Sequence, residues 1–195
     1  LTGGDTSERS ILIMLVANLL YIYLDFSAYC DLAIGAARAG GRRLPENFDW
    51  PLVRSGLRRY WRHWHMTLSQ WVMRRVYFPA FLASHSTALA LFASMLTIGL
   101  WHAPTISWSF WALHHSLAMA VEARVSPGSP PESPRPQGPV ARVRTGARHL
   151  VGMGFMLAWV SLGHSFTLFA APRLALETYG RALAAPFVIV WRMFA

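Results

Sequence analysis

The feature that most constrains the fold is a long apolar run near the start of the sequence. Residues 11–37, ILIMLVANLLYIYLDFSAYCDLAIGAA, exceed the roughly 20 residues that a helix needs to cross a bilayer. A spanning segment must satisfy its own backbone hydrogen bonds, which a lone strand in lipid cannot do. We therefore predict a membrane-spanning helix here, preceded by a short polar segment at residues 1–10.

Further apolar runs follow along the chain. They comprise residues 78–101, 106–123, 150–171 and about 182–194. Hydrophobic residues make up 54% of the chain and charged residues 14%, against roughly 25% charged residues in an ordinary soluble domain. These runs predict an all-α, polytopic integral membrane protein with about five membrane-spanning helices.

The basic residues, all of them arginine, lie largely between these runs. The formal net charge is +9, and segments 38–75 and 124–148 are both rich in arginine. If every apolar run crosses the membrane, both segments fall on the same side, which the positive-inside rule makes cytoplasmic. This arrangement favours membrane topology over nucleic-acid binding as the origin of the charge.

The two Arg-rich segments are predicted to differ in structure. Residues 54–75 interleave Arg with Trp, a pattern typical of an amphipathic or re-entrant helix at the membrane interface. Residues 124–148 are rich in Pro, Ser and Arg and are predicted to form a flexible loop. Cys30 is the single cysteine, which rules out a disulfide framework and a Cys-based zinc site within this sequence.

Two aspartates, Asp25 and Asp31, lie near the end of the first apolar run. A carboxylate inside a bilayer costs about 3 kcal/mol on insertion scales, so the pair is expected to face protein, water or a cation. Their spacing puts them about 120° apart on a helix, so they need not share a partner. Two interpretations stay open: a helix-end pair near the headgroups, or support for a polar cavity.

Several histidines interrupt apolar or aromatic sequence, namely His63, His65, His102, His114 and His115. On one helix His63 and His65 would point about 200° apart. Pro104 disfavours a helical residue before it, which predicts a helix break just after His102. The spacing matches no metal-binding motif, and no metal site is predicted. Neutral histidine can serve as a general base near pH 7, whereas His164 is expected to be structural.

Four sequence blocks carry a resemblance to a known family. They are DFSAYCDLAIGAARAGG (25–41), LPENFDWP (44–51), YWRHWHMTLSQWVMRRVYFP (60–79) and GLWHAPTISWSFWALHHS (99–116). In this order they resemble the membrane-bound O-acyltransferase (MBOAT) family, in particular its bacterial branch that acylates alginate, other exported polysaccharides and teichoic acids. The resemblance implies a multi-pass protein of the bacterial inner membrane, with residues 11–195 as a partial MBOAT domain. Because family members are much longer, a C-terminal fragment is expected.

The resemblance also implies roles for individual residues. His102 corresponds to the family histidine regarded as catalytic, and His65 to the second polar residue of the reaction chamber. Further residues are expected to line the substrate chamber (His115, Trp101, Trp64, Asp25 and Asp31) or to face the donor side (Arg58, Arg59 and Arg62). Ala103 and Ser116 stand where the family has glycine, which is expected to narrow the space beside His102.

The activity implied is transfer of an acyl group, acetyl in the alginate branch, to a hydroxyl of an exported polysaccharide or envelope polymer. An acyl-CoA or an acyl-carrier thioester is the expected donor substrate, and no bound cofactor is expected. The expected partners are membrane lipid, the acceptor polymer, and a carrier protein or periplasmic acetylation partner, without nucleic acid. Two alternatives stay open: a transporter or channel subunit with an intramembrane proton relay, and an inactive truncated relic or scaffold.

Overall fold

The computed structural model describes residues 7–127, 139–169 and 171–194, and these residues contain helices and connections but no strand. The helices are α1 (Glu8–Ala39), α2 (Leu57–His63), α3 (Met66–Val72), α4 (Phe78–Ser84), α5 (Thr87–His102), α6 (Ile106–Val125), α7 (Pro139–Gly163), α8 (Ser165–Leu168) and α9 (Pro172–Phe194). The all-α prediction is confirmed for this part of the chain.

Two of the predicted spanning segments are long and apolar enough to cross a membrane. These are Glu8–Ala39 and Val143–Leu168, so the prediction of about five spans is not confirmed by the described residues. Helix α5 has 16 residues and is apolar, but at 1.5 Å per residue it extends about 24 Å, short of the roughly 30 Å hydrocarbon core. Length is therefore what separates α5 from the two spanning candidates.

The predicted second span, 78–101, is divided into two helices. Helix α4 ends at Ser84, His85 adopts a left-handed conformation (φ 51°), and Ser86 caps α5 by accepting a hydrogen bond from Leu89 N at 3.3 Å. A serine at this position satisfies one of the free N–H groups of the new helix. The sequence SHS therefore ends one helix and starts another, which the apolar average of the run conceals.

The single amphipathic helix predicted at 54–75 is also wrong. The helix is interrupted at Trp64 and His65, between α2 and α3, and His65 has φ 45°. Ser69 Oγ donates to the carbonyl oxygens of Trp61 (2.9 Å) and Trp64 (3.1 Å), so carbonyl groups at the C-terminal end of α2 keep hydrogen-bond partners. The break is stable because side-chain and loop groups replace the lost helical bonds.

The flexible loop predicted at 124–148 is wrong at both of its ends. Helix α6 continues to Val125, and residues 139–148 form the first turns of α7, which begins at Pro139. Proline is compatible with a first helical turn because its missing N–H would lack an intrahelical partner there. Residues 128–138, the rest of the predicted loop, lie outside the described residues.

Helices α5 and α6 form the centre of the fold. They are joined by a short connection around Pro104, and Gly99 allows them to approach closely, because a Cβ there would lie 2.8 Å from the backbone oxygen of Trp108. The core around this pair includes Tyr60, Trp111 and Met156, all buried. The predicted helix break at Pro104 is confirmed, since α5 ends at His102 and α6 begins at Ile106.

A carboxylate from α6 holds the start of α2. Glu122 Oε2 accepts hydrogen bonds from the backbone N–H groups of Leu57 (2.8 Å) and Arg58 (3.2 Å). Gly56 precedes them with φ 97°, and a Cβ there would lie 2.8 Å from Glu122 Oε1. Since a helix N-terminus favours negative charge, Glu122 both caps α2 and fixes it against the central helix pair.

Candidate active site

A cavity of about 320 Å³ lies where α1, α2, α3, α5, α6 and the α7–α8 junction meet. Its wall is mostly aromatic and aliphatic, with Trp61, Trp64, Trp108 and Trp111 among the lining residues. Polar side chains enter from five separate segments: Asn18, His65, Ser69, His102, His115, His164 and Thr167. An apolar pocket with a few converging polar groups is the usual form of a small-molecule site.

His65 is held by a side chain from the loop before α2. Its Nδ1 lies 3.1 Å from Asn47 Oδ1, and its ring packs edge-on against Phe26 with centroids 4.9 Å apart. Partial burial and, to a lesser extent, the neighbouring His102 lower the pKa of His65, while a hydrogen bond to its own backbone acts in the opposite direction. Both leading effects favour the neutral ring, because burial and a nearby positive charge each penalise imidazolium.

His102 lies at the last position of α5 and also lines the cavity. The ring stacks on Trp108 with centroids 4.7 Å apart and an interplanar angle of 15°, and His102 is an exposed residue. Ala103, which follows, has φ −162°, an extended conformation that does not require glycine. Ala103 is not among the residues that line the cavity, so the expected narrowing beside His102 does not arise from this side chain.

The histidine pair on α6 is divided between two environments. His115 is 1% exposed and lines the cavity, whereas His114 is 6% exposed and faces α7 and α9. His114 Nε2 donates to the backbone oxygen of Trp159 at 2.9 Å, and Tyr179 Oη lies 3.3 Å from Nδ1. Gly163 makes room for the pair, since a Cβ there would lie 2.8 Å from His115 Nε2.

The structure brings some of the other chamber candidates into the cavity and leaves the rest outside. Trp64 is buried and lines the cavity. Trp101 is 62% exposed and touches the rings of His65 and His102 without lining the cavity. Asp25 and Asp31 are both exposed and lie outside it, contrary to expectation, because α1 presents Asn18, Ile22 and Phe26 to the cavity instead.

A second cavity, of about 250 Å³, is lined by two of the basic residues of α2. Arg58 and Arg62 line it, and it shares Trp61, Ser69 and Ile98 with the first cavity, so these three side chains form the wall between the two. Arg62 is exposed, and partial burial together with Arg59 and Arg58 lowers its pKa. Burial contributes most to the lowered pKa, and the neighbouring Arg59 and Arg58 add to it.

The three arginines of α2 differ in their contacts and in their exposure. Arg58 lies 3.6 Å from Glu122 and donates to the carbonyl of Ser126 at 2.6 Å, so its guanidinium stabilises the α2–α6 contact. Arg59 is half-buried, and its backbone oxygen accepts a hydrogen bond from His63 Nδ1 at 2.7 Å. Arg62 is the exposed member of the three, so its charge is the most accessible to an incoming group.

Several residues of the site could not be identified from the sequence, among them Asn47 and His164. Asn47 lies in the LPENFDWP block, which carries the resemblance but gives this residue no role. His164 lines the cavity although it was expected to be structural, and no motif around it signals this position. Across the residues that the structure describes, no group of three or more His, Cys, Asp or Glu side chains is arranged to hold a metal ion.

Comparison with known proteins identifies the family to which this chain belongs. The model of the membrane-bound O-acyltransferase (MBOAT) family matches residues 8–168, which include every element that lines the cavity. The chain therefore belongs to the membrane-bound O-acyltransferase family, a family of membrane-bound acyl-transferring enzymes.

The chain is similar to curated proteins that are named for polymer modification. It is 34% identical over 118 residues to the probable alginate O-acetylase AlgI of Pseudomonas fluorescens, covering 59% of this chain and 24% of that protein. It is 31% identical over 109 residues to the peptidoglycan O-acetyltransferase of Helicobacter pylori, covering 54% and 20%. The teichoic acid D-alanyltransferase of Bacillus subtilis is 27% identical over 110 residues, covering 51% and 28%. The chain thus matches about a quarter of the length of these relatives.

Proposed function

We propose that the chain forms the reaction chamber of a membrane O-acyltransferase that transfers an acyl group, acetyl in the simplest case, to a hydroxyl of an exported polysaccharide or envelope polymer. The observation that carries the proposal is the presence of His65 and His102, from two separate sequence blocks, in one aromatic cavity. The named relatives, an alginate O-acetylase and a peptidoglycan O-acetyltransferase, support the class of acceptor.

In this mechanism His102 is the general base. It takes the proton of the acceptor hydroxyl as the hydroxyl oxygen attacks the thioester carbonyl, and it returns the proton to the departing thiolate. A positioned base contributes about 10²–10⁴-fold to such a step. The Trp108 ring stacked on His102 limits its rotation, and the aromatic wall excludes water that would otherwise hydrolyse the thioester.

The donor is proposed to be an acyl thioester, carried by coenzyme A or by a carrier protein, that approaches from the second cavity. Arg62 and Arg59 would attract the phosphate of such a donor by charge, and Arg58 would keep α2 in place through Glu122. In the proposed topology the segments 38–75 and 124–148 are cytoplasmic and the protein lies in the bacterial inner membrane. The acyl group then crosses toward His102 while the bulk of the donor stays on the cytoplasmic side.

The test is His102→Ala in the intact membrane protein, followed by measurement of acyl ester on the exported polymer at matched protein levels. We expect ester content to fall at least about 100-fold, in line with loss of a general base. The matched control is His149→Ala, because His149 is exposed and its ring contacts Val53 rather than the cavity. Unchanged ester content in His102→Ala would contradict the mechanism, and altered proton flux with normal ester content would favour the proton-relay alternative.

A further inference from the structure

Asn47, a loop residue, forms hydrogen bonds through its side-chain amide nitrogen, its side-chain oxygen and its backbone oxygen. Its Nδ2 donates to Cys30 Sγ at 3.3 Å, and its Oδ1 accepts from Thr67 N at 3.2 Å and from Thr67 Oγ1 at 3.0 Å. Its backbone oxygen accepts from Met66 N at 2.9 Å. The loop before α2 is thereby joined to α1 and to the first turn of α3.

These contacts determine which way the Asn47 amide faces. The Thr67 backbone N–H can only donate, so the group opposite it must be the amide oxygen and not the amide nitrogen. The same oxygen lies 3.1 Å from His65 Nδ1. An amide oxygen only accepts hydrogen bonds, so Nδ1 must carry the proton.

The protonation pattern of the His65 ring follows directly. In a neutral imidazole one nitrogen carries the proton and the other presents a lone pair. With the proton on Nδ1, the lone pair is on Nε2, and the ring lines the cavity that also contains His102. The left-handed backbone at His65 (φ 45°) fits this view, because such strain, of order 1–3 kcal/mol, persists where surrounding contacts enforce it.

We propose that Asn47 is a positioning residue that fixes His65 as the Nδ1–H tautomer, so that His65 Nε2 accepts a hydrogen bond from a hydroxyl of the acceptor. This inference rests on the proposed acyl transfer. It decides whether His65 Nε2 donates a hydrogen bond to the developing oxyanion or accepts one from the acceptor. A neutral ring with its proton on Nδ1 cannot donate from Nε2 to a developing oxyanion. It can hold a polyhydroxyl acceptor in place.

The group transfer balances without a proton change at His65. The reacting hydroxyl gives its proton to His102 as its oxygen bonds to the acyl carbon, the carbon–sulfur bond breaks, and the thiolate takes the proton from His102. A single hydroxyl proton cannot be shared between two bases in this step. His65 therefore accepts from a second, neighbouring hydroxyl, which makes the acceptor a polyol such as a sugar residue with adjacent hydroxyls.

The experiment measures tautomer and transfer separately in the intact protein. Nitrogen-15 NMR of histidine-labelled protein in membrane mimetic should show His65 protonated at Nδ1, with the resonance assigned by its loss in His65→Phe. In Asn47→Leu the Nδ1–H preference should disappear and polymer ester content should fall about tenfold, the effect of one lost hydrogen bond of about 1.4 kcal/mol. Asn47→Asp keeps an acceptor oxygen and should retain the Nδ1–H tautomer.

The pH dependence distinguishes positioning from a merely structural role. The carboxylate in Asn47→Asp favours imidazolium at His65, so the acid limb of the transfer profile should move up by about one pH unit. Glu46→Gln is the matched control, because Glu46 is exposed and pairs with Arg38 at the surface. A His65 that is protonated at Nε2 in the wild-type protein, or an unchanged tautomer in Asn47→Leu, would overturn the inference. Absence of transfer with the predicted tautomer present would instead refute the proposed acyltransferase function.

Discussion

His65 and His114 are both tied to the protein through a ring nitrogen, yet they occupy opposite kinds of site. His114 uses both nitrogens, one on the Trp159 carbonyl and one on the Tyr179 hydroxyl, and is buried against the ring of Trp159 with centroids 4.2 Å apart. His65 uses Nδ1 on Asn47 and leaves Nε2 beside a cavity. In the proposed mechanism His65 keeps a spare ring nitrogen for the acceptor, whereas we expect His114, with both nitrogens bonded, to contribute to stability.

Among the changes that test this comparison, the largest expected effect on polymer ester content comes from removing the spare ring nitrogen of His65. His65→Phe keeps an aromatic ring against Phe26 but has no atom that accepts a hydrogen bond, so we expect polymer ester content to fall about tenfold, the effect of one lost hydrogen bond of about 1.4 kcal/mol. Ester content and a thermal unfolding curve measured on the same preparation would check this. Retained transfer in His65→Phe would show that the two histidines do not differ in the way proposed.

The opposite result is expected for His114→Phe. The ring still stacks on Trp159, but the Trp159 carbonyl and the Tyr179 hydroxyl lose their partner inside the protein. An unsatisfied buried group costs about 1–3 kcal/mol, so the unfolding midpoint should drop while transfer per folded molecule stays within about twofold. Tyr179→Phe, which removes one hydroxyl and keeps the ring, is the matched control and should produce a smaller drop.

The anchor of α2 extends the comparison, because Glu122 caps the helix that precedes His65 in the chain. Glu122→Ala leaves two N–H groups of α2 and the charge of Arg58 without their acceptor, which should lower the free energy of unfolding by about 1–2 kcal/mol. Glu122→Gln keeps one acceptor oxygen and should lose less. Equal stability of Glu122→Ala and wild type in a denaturation series would argue against this anchoring.

The smallest effect is expected beside His102. Ala103 has an extended backbone (φ −162°), so Ala103→Gly relieves no strain and adds conformational freedom to the unfolded chain. We expect a decrease in stability of about 0.4–1 kcal/mol and unchanged ester content. A clear rise in transfer by Ala103→Gly would show that the methyl group does restrict His102.

The helical class, part of the fold and part of the site could be predicted from the sequence. The apolar run at 11–37 predicts α1, and Pro104 predicts the break after His102, because both depend on local properties of the chain. The four sequence blocks predict that His65, His102, His115 and Trp64 belong to one site, and all four line the cavity. The catalytic and chamber roles of these residues stay predictions.

Other features of the fold and the site could not be predicted, because they depend on contacts between separate segments and on helix packing. The helix predicted at 54–75 is broken because Ser69, Asp49 and Asn47 supply hydrogen-bond partners to the interrupted backbone. Some of these partners lie about one helical turn along the chain from the break, and others lie in a separate loop. The positions of Asp25 and Asp31 depend on the rotation of α1 about its axis, which is set by packing rather than by spacing.

The sequence by itself determined the helical class, the family and the histidines that deserve study, since apolar length, proline geometry and ordered motifs are all properties of the linear chain. Only the tertiary structure decided that His114 is fully bonded, that His164 lines the cavity and that Asn47 meets His65. Those relations join residues 18 to 65 positions apart. A hydrogen bond between such residues depends on the packing of several helices at once, which local sequence does not specify.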